Sequence, residues 1–144
     1  MNPPNDIVVE LVQLFSNQKF NDLINKADNL LNDYPDSYQL WNLLGSANLG
    51  LEKLDEAIFN YNVSIDKNKK YAPAYNNKGN ALRILGKREE ALDCYSKAIA
   101  IEPNFADAYN GKAYCLEDMN RPEEAAEYFK IAQIKSEKQK KNQI

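Results

Sequence analysis

Residues 72–105 read APAYNNKGNALRILGKREEALDCYSKAIAIEPNF, and this stretch decides the fold. Its small and apolar residues recur at helical spacing, twice over. Ala74, Tyr75, Gly79, Leu82 and Leu85 share one face of a first helix, with the stem of Lys78 able to lie along it. Ala91, Leu92, Tyr95, Ala98 and Ile99 do the same for a second. Gly79 and Ala91 are small where two helix backbones have to approach, and the aromatic rings fill the space beside them. Stepping 34 residues in either direction finds the same residues again. The columns are Trp41, Tyr75 and Tyr109; Gly45, Gly79 and Ala113; Ala57, Ala91 and Ala125; Tyr61, Tyr95 and Phe129; Ser64, Ala98 and Ala132. Five columns at one period are an internal repeat of paired helices.

One further step back gives a more diverged unit. Ile7, Leu11 and Leu23 stand in its aromatic, glycine and alanine columns. Pro35 matches Pro103, and Asn17-Gln18-Lys19-Phe20 matches Leu85-Gly86-Lys87-Arg88 in position. The units are 4–37, 38–71, 72–105 and 106–139, which account for 136 of the 144 residues. They predict a single domain over 1–144, its last helix beginning near Glu123 and extending into the C-terminal tail. Gly86 and Asn120 fall at one repeat position between paired helices, and both tolerate the positive φ that a helix end often needs. The second helices open on Asp55-Glu56, Glu89-Glu90 and Glu123-Glu124. These carboxylates complement the positive end of a helix dipole, so they are read as helix-start residues and not as an acid/base pair. Pro122 suits a first helical turn, where its missing N–H has no helical partner anyway.

These residues resemble the tetratricopeptide repeat family, whose pattern runs from an aromatic through Leu-Gly and Tyr to a later Ala, an aromatic and a Pro. Trp41-Asn42-Leu43-Leu44-Gly45 matches its start, and Ala91-Leu92-Asp93-Cys94-Tyr95 with Pro103 matches its second half. The chain departs from the pattern at Lys78, where Leu is usual, and at Lys69, where the closing Pro is missing. The resemblance implies an all-α, right-handed superhelical solenoid of four helix-turn-helix repeats. Its concave surface, lined by the first helix of each repeat, implies a scaffold or adaptor that binds protein or peptide.

Composition narrows the chemistry further. The chain has no histidine, which excludes His-based nucleophilic catalysis and the commonest metal ligand. Cys94 and Cys115 form no metal-binding spacing, so no metal and no cofactor is expected. Gly79 to Lys87 lacks the spacing of a phosphate loop, and Arg88 follows in place of Ser or Thr. A net charge of −3, with no strongly basic repeat, argues against nucleic acid. No apolar run approaches the roughly 18 residues of a membrane span, and Met1-Asn2-Pro3-Pro4-Asn5-Asp6 lacks the features of a secretory signal. The expectation is a cytoplasmic, non-catalytic protein.

Asparagine occurs 19 times, and part of that load falls into register. Asn42, Asn76 and Asn110 form one column at spacing 34, and Asn77 and Asn80 thicken it in the third repeat. The resemblance implies that these positions face the groove. An amide offers an acceptor and two donors, which match the C=O and N–H of an extended peptide backbone. Ser46, Arg83, Tyr114 and Glu117 are the further groove candidates, with Leu49, Gln39 and Asp107 beside them. The character of these positions shifts along the chain, from apolar at Val8, Val12 and Leu49 to amide-rich and then charged. The clamp that some family members build for a chaperone's C-terminal carboxylate would fall on Asn42, Ser46, Asn77, Asp107 and Gly111. None of these is a cation, so no carboxylate clamp is expected. Two alternatives stand beside the adaptor reading. The stretch from Leu14 to Gly45 is similar to repeats that precede bacterial glycosyl- or sulfotransferase domains, implying a module of a larger enzyme. The face around Tyr128, Ile131 and Ile134 offers a route to a structural homo-oligomer.

Overall fold

The computed structural model describes residues 1–142, and among them every regular element is an α-helix. The helices are α1 (Asn5–Ser16), α2 (Phe20–Leu30), α3 (Tyr38–Gly50), α4 (Leu54–Lys67), α5 (Ala72–Ile84), α6 (Arg88–Ile101), α7 (Ala106–Asp118) and α8 (Pro122–Asn142). Each pair occupies one 34-residue unit, so the period read from the sequence is the period of the helix pairs. Pro122 is the first residue of α8, and the paired acids lie in the first turns of α4, α6 and α8. By their own contacts the helices divide into two compact units, one spanning Met1–Ala74 and the other starting at Tyr75.

In the first unit a core of Leu11, Leu23, Ala27, Leu40, Leu44 and Ala47 joins α1, α2 and α3. Trp41 packs on it and donates its indole N–H to the Pro35 carbonyl at 3.3 Å. Ser37 caps α3, its hydroxyl accepting from the Leu40 N–H at 3.2 Å and donating to the Asn2 side chain at 2.6 Å. In the second unit Ala113, Leu116 and Ala125 are buried, with Leu92, Tyr128 and Phe129 against them. There Tyr109 donates to the Pro103 carbonyl at 2.9 Å, repeating the Trp41 bond two repeats on.

The small-residue columns act as the period implies. A Cβ built on Gly45 would lie 2.5 Å from the Tyr61 ring, and one on Gly79 would lie 2.8 Å from the Tyr95 ring. Gly111 receives Tyr95 from the other side, with a built Cβ only 2.3 Å away. Both tyrosines are fully buried. Each is the piece of α4 or α6 that fills the gap a glycine leaves in the neighbouring helix.

The inter-helix turns hold a regularity the sequence hid. Gly86 has φ +83° and Asn120 has φ +61°, as expected of them. Gln18 and Glu52, at φ +58° and +63°, adopt the same left-handed conformation at the same repeat position. A residue with a Cβ is disfavoured there by about 1–2 kcal/mol, so the helix–turn–helix geometry imposes this backbone on side chains that would not choose it.

Candidate functional site

The second unit contains an open polar cavity of about 440 Å³, lined by Asn76, Asn77, Asn80, Arg83, Asp107, Asn110, Gly111 and Tyr114. All eight residues come from α5 and α7, the first helices of their repeats. Successive positions on α5 converge here because 76, 80 and 83 stand about one helical turn apart. Seven groove candidates from the sequence are thereby brought together: Asn76, Asn77, Asn80, Arg83, Asp107, Asn110 and Tyr114. Glu117 is exposed on α7 and does not line the cavity. Asn42 and Ser46 belong to α3 in the other unit.

The asparagines are not equivalent. Asn42 and Asn76 are buried, at 8% and 6% exposure, whereas Asn77, Asn80 and Asn110 are half-buried. The column therefore differs in depth along its length: its first two members are buried, and the third is half-buried. Asn76 is set deep enough that its Oδ1 has no hydrogen-bond partner among the described residues. Leaving a buried acceptor unmatched costs about 1–3 kcal/mol.

Two of the groove candidates also have structural duties. The Ser46 and Tyr61 hydroxyls share a hydrogen bond at 3.1 Å, and Tyr95 donates to the Asn80 Oδ1 at 2.6 Å. These are the same bond one repeat apart. In the fourth repeat the second-helix ring is Phe129, which has no hydroxyl, and the first-helix partner is Tyr114. Their rings meet edge to face at 5.0 Å. Asn80 therefore presents its amide N–H groups, while its carbonyl is held by Tyr95. Burial pushes the Tyr61 and Tyr95 phenols up to about 12, so both hold their protons well into alkaline pH.

Arg83 is the cation of the site. Its Nη1 donates to the Asp118 Oδ2 at 3.3 Å, and its guanidinium carbon stands 5.5 Å from the Tyr114 ring centre. Its Nε is buried without a hydrogen-bond partner among the described residues. Partial burial works against the charge, and hydrogen bonds from the guanidinium to Asp118 and Tyr95 more than offset it, holding the pKa above the ordinary arginine value. Asp118 is the member of this group that the sequence did not reveal, because only the packing of α7 beside α5 brings it to a residue 35 positions away.

Elsewhere, the face proposed for self-association is only partly open. Tyr128 is half-buried, with Lys112 Nζ 4.6 Å from its ring centre, and Ile131 is half-buried too. Only Ile134 is well exposed, at 62%. Among the described residues no helix is long and apolar enough to cross a membrane.

Tetratricopeptide repeats match the chain at residues 38–66, 72–105 and 94–127. A crystal structure of MamA is 30% identical, with a TM-score of 0.76, and the alignment covers 93% of this chain and 81% of that one. A second MamA structure, also 30% identical, aligns with a TM-score of 0.73 over 95% of this chain and 77% of that one. The first tetratricopeptide domain of Spaghetti (RPAP3), bound to the HSP90 peptide SRMEEVD, is 25% identical with a TM-score of 0.72, over 77% of this chain and 88% of that one. A search of curated protein sequences found no match.

Proposed function

This chain belongs to the tetratricopeptide repeat family, and we propose that it works as a non-catalytic adaptor whose α5–α7 cavity grips the backbone of a protein or peptide segment. The observation that carries this reading is the convergence of Asn76, Asn77, Asn80 and Asn110 on one open cavity, with a buried acceptor at Asn76 still unmatched. Amides facing a ligand in this way pair with peptide C=O and N–H groups whatever the side chains are. Arg83 and Tyr114 at the rim then set a preference among sequences. The likeness to a tetratricopeptide domain holding a peptide supports a peptide as the ligand class. Asn42 holds the corresponding repeat position on α3, in the other unit.

The test is capture of partners from the source cell, identified by mass spectrometry, with wild type compared against the Asn42→Ala, Asn76→Ala, Asn110→Ala triple variant. Partners should be lost while the helical circular dichroism persists. Because Asn42 and Asn76 are buried, the half-buried pair Asn77→Ala with Asn110→Ala serves as a second variant that spares the interior. Unchanged capture by both variants would defeat the backbone-grip mechanism. Self-association is a second reading, favoured by the exposed Ile134 on α8. Light scattering that finds a monomer at high concentration would remove it.

A further inference from the structure

We propose that α4 carries a second binding surface, for a basic peptide segment that seats an arginine on Phe59. Phe59 is 61% exposed, and its repeat position is polar in every other unit: Asn25, Asp93 and Glu127, all exposed. The period therefore marks the position as a solvated one, and a ring left this open is not there to fill a core. Asp55 and Glu56 stand one turn before it and Asp66 two turns after, all exposed on the same face of the helix. Beside the ring is an open cavity of about 340 Å³, lined by Asn48, Asp55, Glu56, Phe59 and Asn60. Two of these residues are tied together, the Asn48 amide donating to the Asn60 Oδ1 at 2.7 Å.

Charge decides what the ring can receive. Asp55, Glu56 and Asp66 form no ion pair among the described residues, either with Lys53 just ahead of the helix or with any other cation. Lys67, the basic residue of α4, is bonded to Asp36 at 2.9 Å. Placement at a helix start accounts for Asp55 and Glu56, which recur as Glu89-Glu90 and Glu123-Glu124, but not for the ring beside them. An uncharged partner that covered Phe59 would strip water from these carboxylates and leave them unpaired, which is costly. A second copy of the chain, meeting this surface with the same surface, would set acid against acid. A cation answers both the ring and the acids. An arginine stacks its guanidinium on the ring and turns paired N–H groups to the neighbouring carboxylates. Lysine brings the charge without the plane. The surface uses neither α5 nor α7, so it goes beyond the cavity that grips a peptide backbone.

The experiment titrates the whole protein with blocked pentapeptides and follows the Phe59 ring and the Asn60 side-chain amide by heteronuclear NMR. The probes are Ac-Ala-Arg-Leu-Arg-Ala-amide and its versions with lysine, glutamine or glutamate in place of both arginines. The arginine peptide should shift both groups. The glutamine peptide should bind about tenfold more weakly, the combined scale of one exposed ion pair and one exposed cation–π contact. Lysine should fall between them, and glutamate should bind weakest. Phe59→Asn, matching Asn25 in the first repeat, should weaken the arginine peptide about fivefold at Asn60. Asp66→Asn, which spares the helix start, should weaken arginine and lysine a few-fold and leave glutamine unchanged. Four results would each overturn the proposal: glutamine binding as tightly as arginine, which would make the partner apolar; lysine binding more tightly than arginine; Phe59 shifts that follow protein concentration alone, which would make the occupant a second copy; or no probe moving either group. Asn77→Ala with Asn110→Ala should leave these shifts unchanged, so the reading of the α5–α7 cavity is judged separately.

Discussion

The first helices of the two units use the same repeat positions for opposite chemistry. On α1 the positions are Val8, Val12 and Phe15, and the last two are 44% and 38% exposed. On α5 the same positions, 68 residues later, are Asn76, Asn80 and Arg83, which line a polar cavity. Beneath α1 the packing positions differ too, with Leu11 and Ala27 where α5 and α6 carry Gly79 and Tyr95, whereas α3–α4 and α5–α6 share them. Tyr61 and Tyr95 are both fully buried, each against a glycine of the preceding helix and each bonded to a first-helix polar group. The repeat thus separates two kinds of position: those that lock a helix pair together, and those that the locked pair presents to a ligand. Substitutions at the first kind should cost stability, and substitutions at the half-buried Asn77 and Asn110 should change binding alone.

The largest effects fall on the locking positions. Tyr61→Ala and Tyr95→Ala should each lose about 3–5 kcal/mol in urea unfolding, the cost of emptying a buried aromatic site. Gly111→Val forces bulk into the Tyr95 ring and should cost about 1–3 kcal/mol by the same measurement. The same change at Gly86, where nothing lies within reach of an added Cβ, tests backbone strain without crowding.

The two tyrosines also predict a pH dependence. Burial raises both phenols to about 12. The unfolded chain, with ordinary tyrosines near 10, loses these protons first as the pH climbs. The native state then binds more protons than the unfolded one, so stability is fully present below pH 10 and falls between about pH 10 and 12. Denaturant midpoints measured across that range should slope less in Tyr61→Phe and Tyr95→Phe. Tyr95→Phe should in addition cost about 1–2 kcal/mol at neutral pH by leaving the Asn80 carbonyl unmatched. The fourth repeat tolerates Phe129 because Tyr114, not a carboxamide, meets it.

The smallest effects are gains. Gln18→Gly and Glu52→Gly relieve the left-handed turns and should stabilise by about 0.5–1 kcal/mol each, read as raised thermal midpoints. These two turns also mark a limit of the sequence. Gly86 and Asn120 announce a positive φ by residue type, whereas Gln18 and Glu52 carry no such signature and disclose it only through their register. The helix pairs were legible for the opposite reason: glycine, alanine and ring columns recur wherever backbones approach. The cavity was legible in part. Register placed Asn76, Asn110 and Arg83 near one another, and α5 and α7 do converge there. Register says nothing about depth, so the burial of Asn42 and Asn76 was hidden. It also says nothing about partners on the next helix, so the bonds that hold Ser46 and Asn80 went unread. Asp118 escaped because its contact depends on α7 packing beside α5.

The division of labour between α1 and α5–α7 can be read from one photo-crosslinking measurement. A benzoylphenylalanine replaces Tyr114 in one protein and Val12 in another, each is irradiated with source-cell extract, and the joined peptides are identified by mass spectrometry. The account predicts that Tyr114 crosslinks defined peptide segments, and that these disappear when Asn77→Ala and Asn110→Ala are added in a protein that remains folded. Crosslinks from Val12 alone, or Tyr114 crosslinks that survive loss of the asparagines, would contradict it.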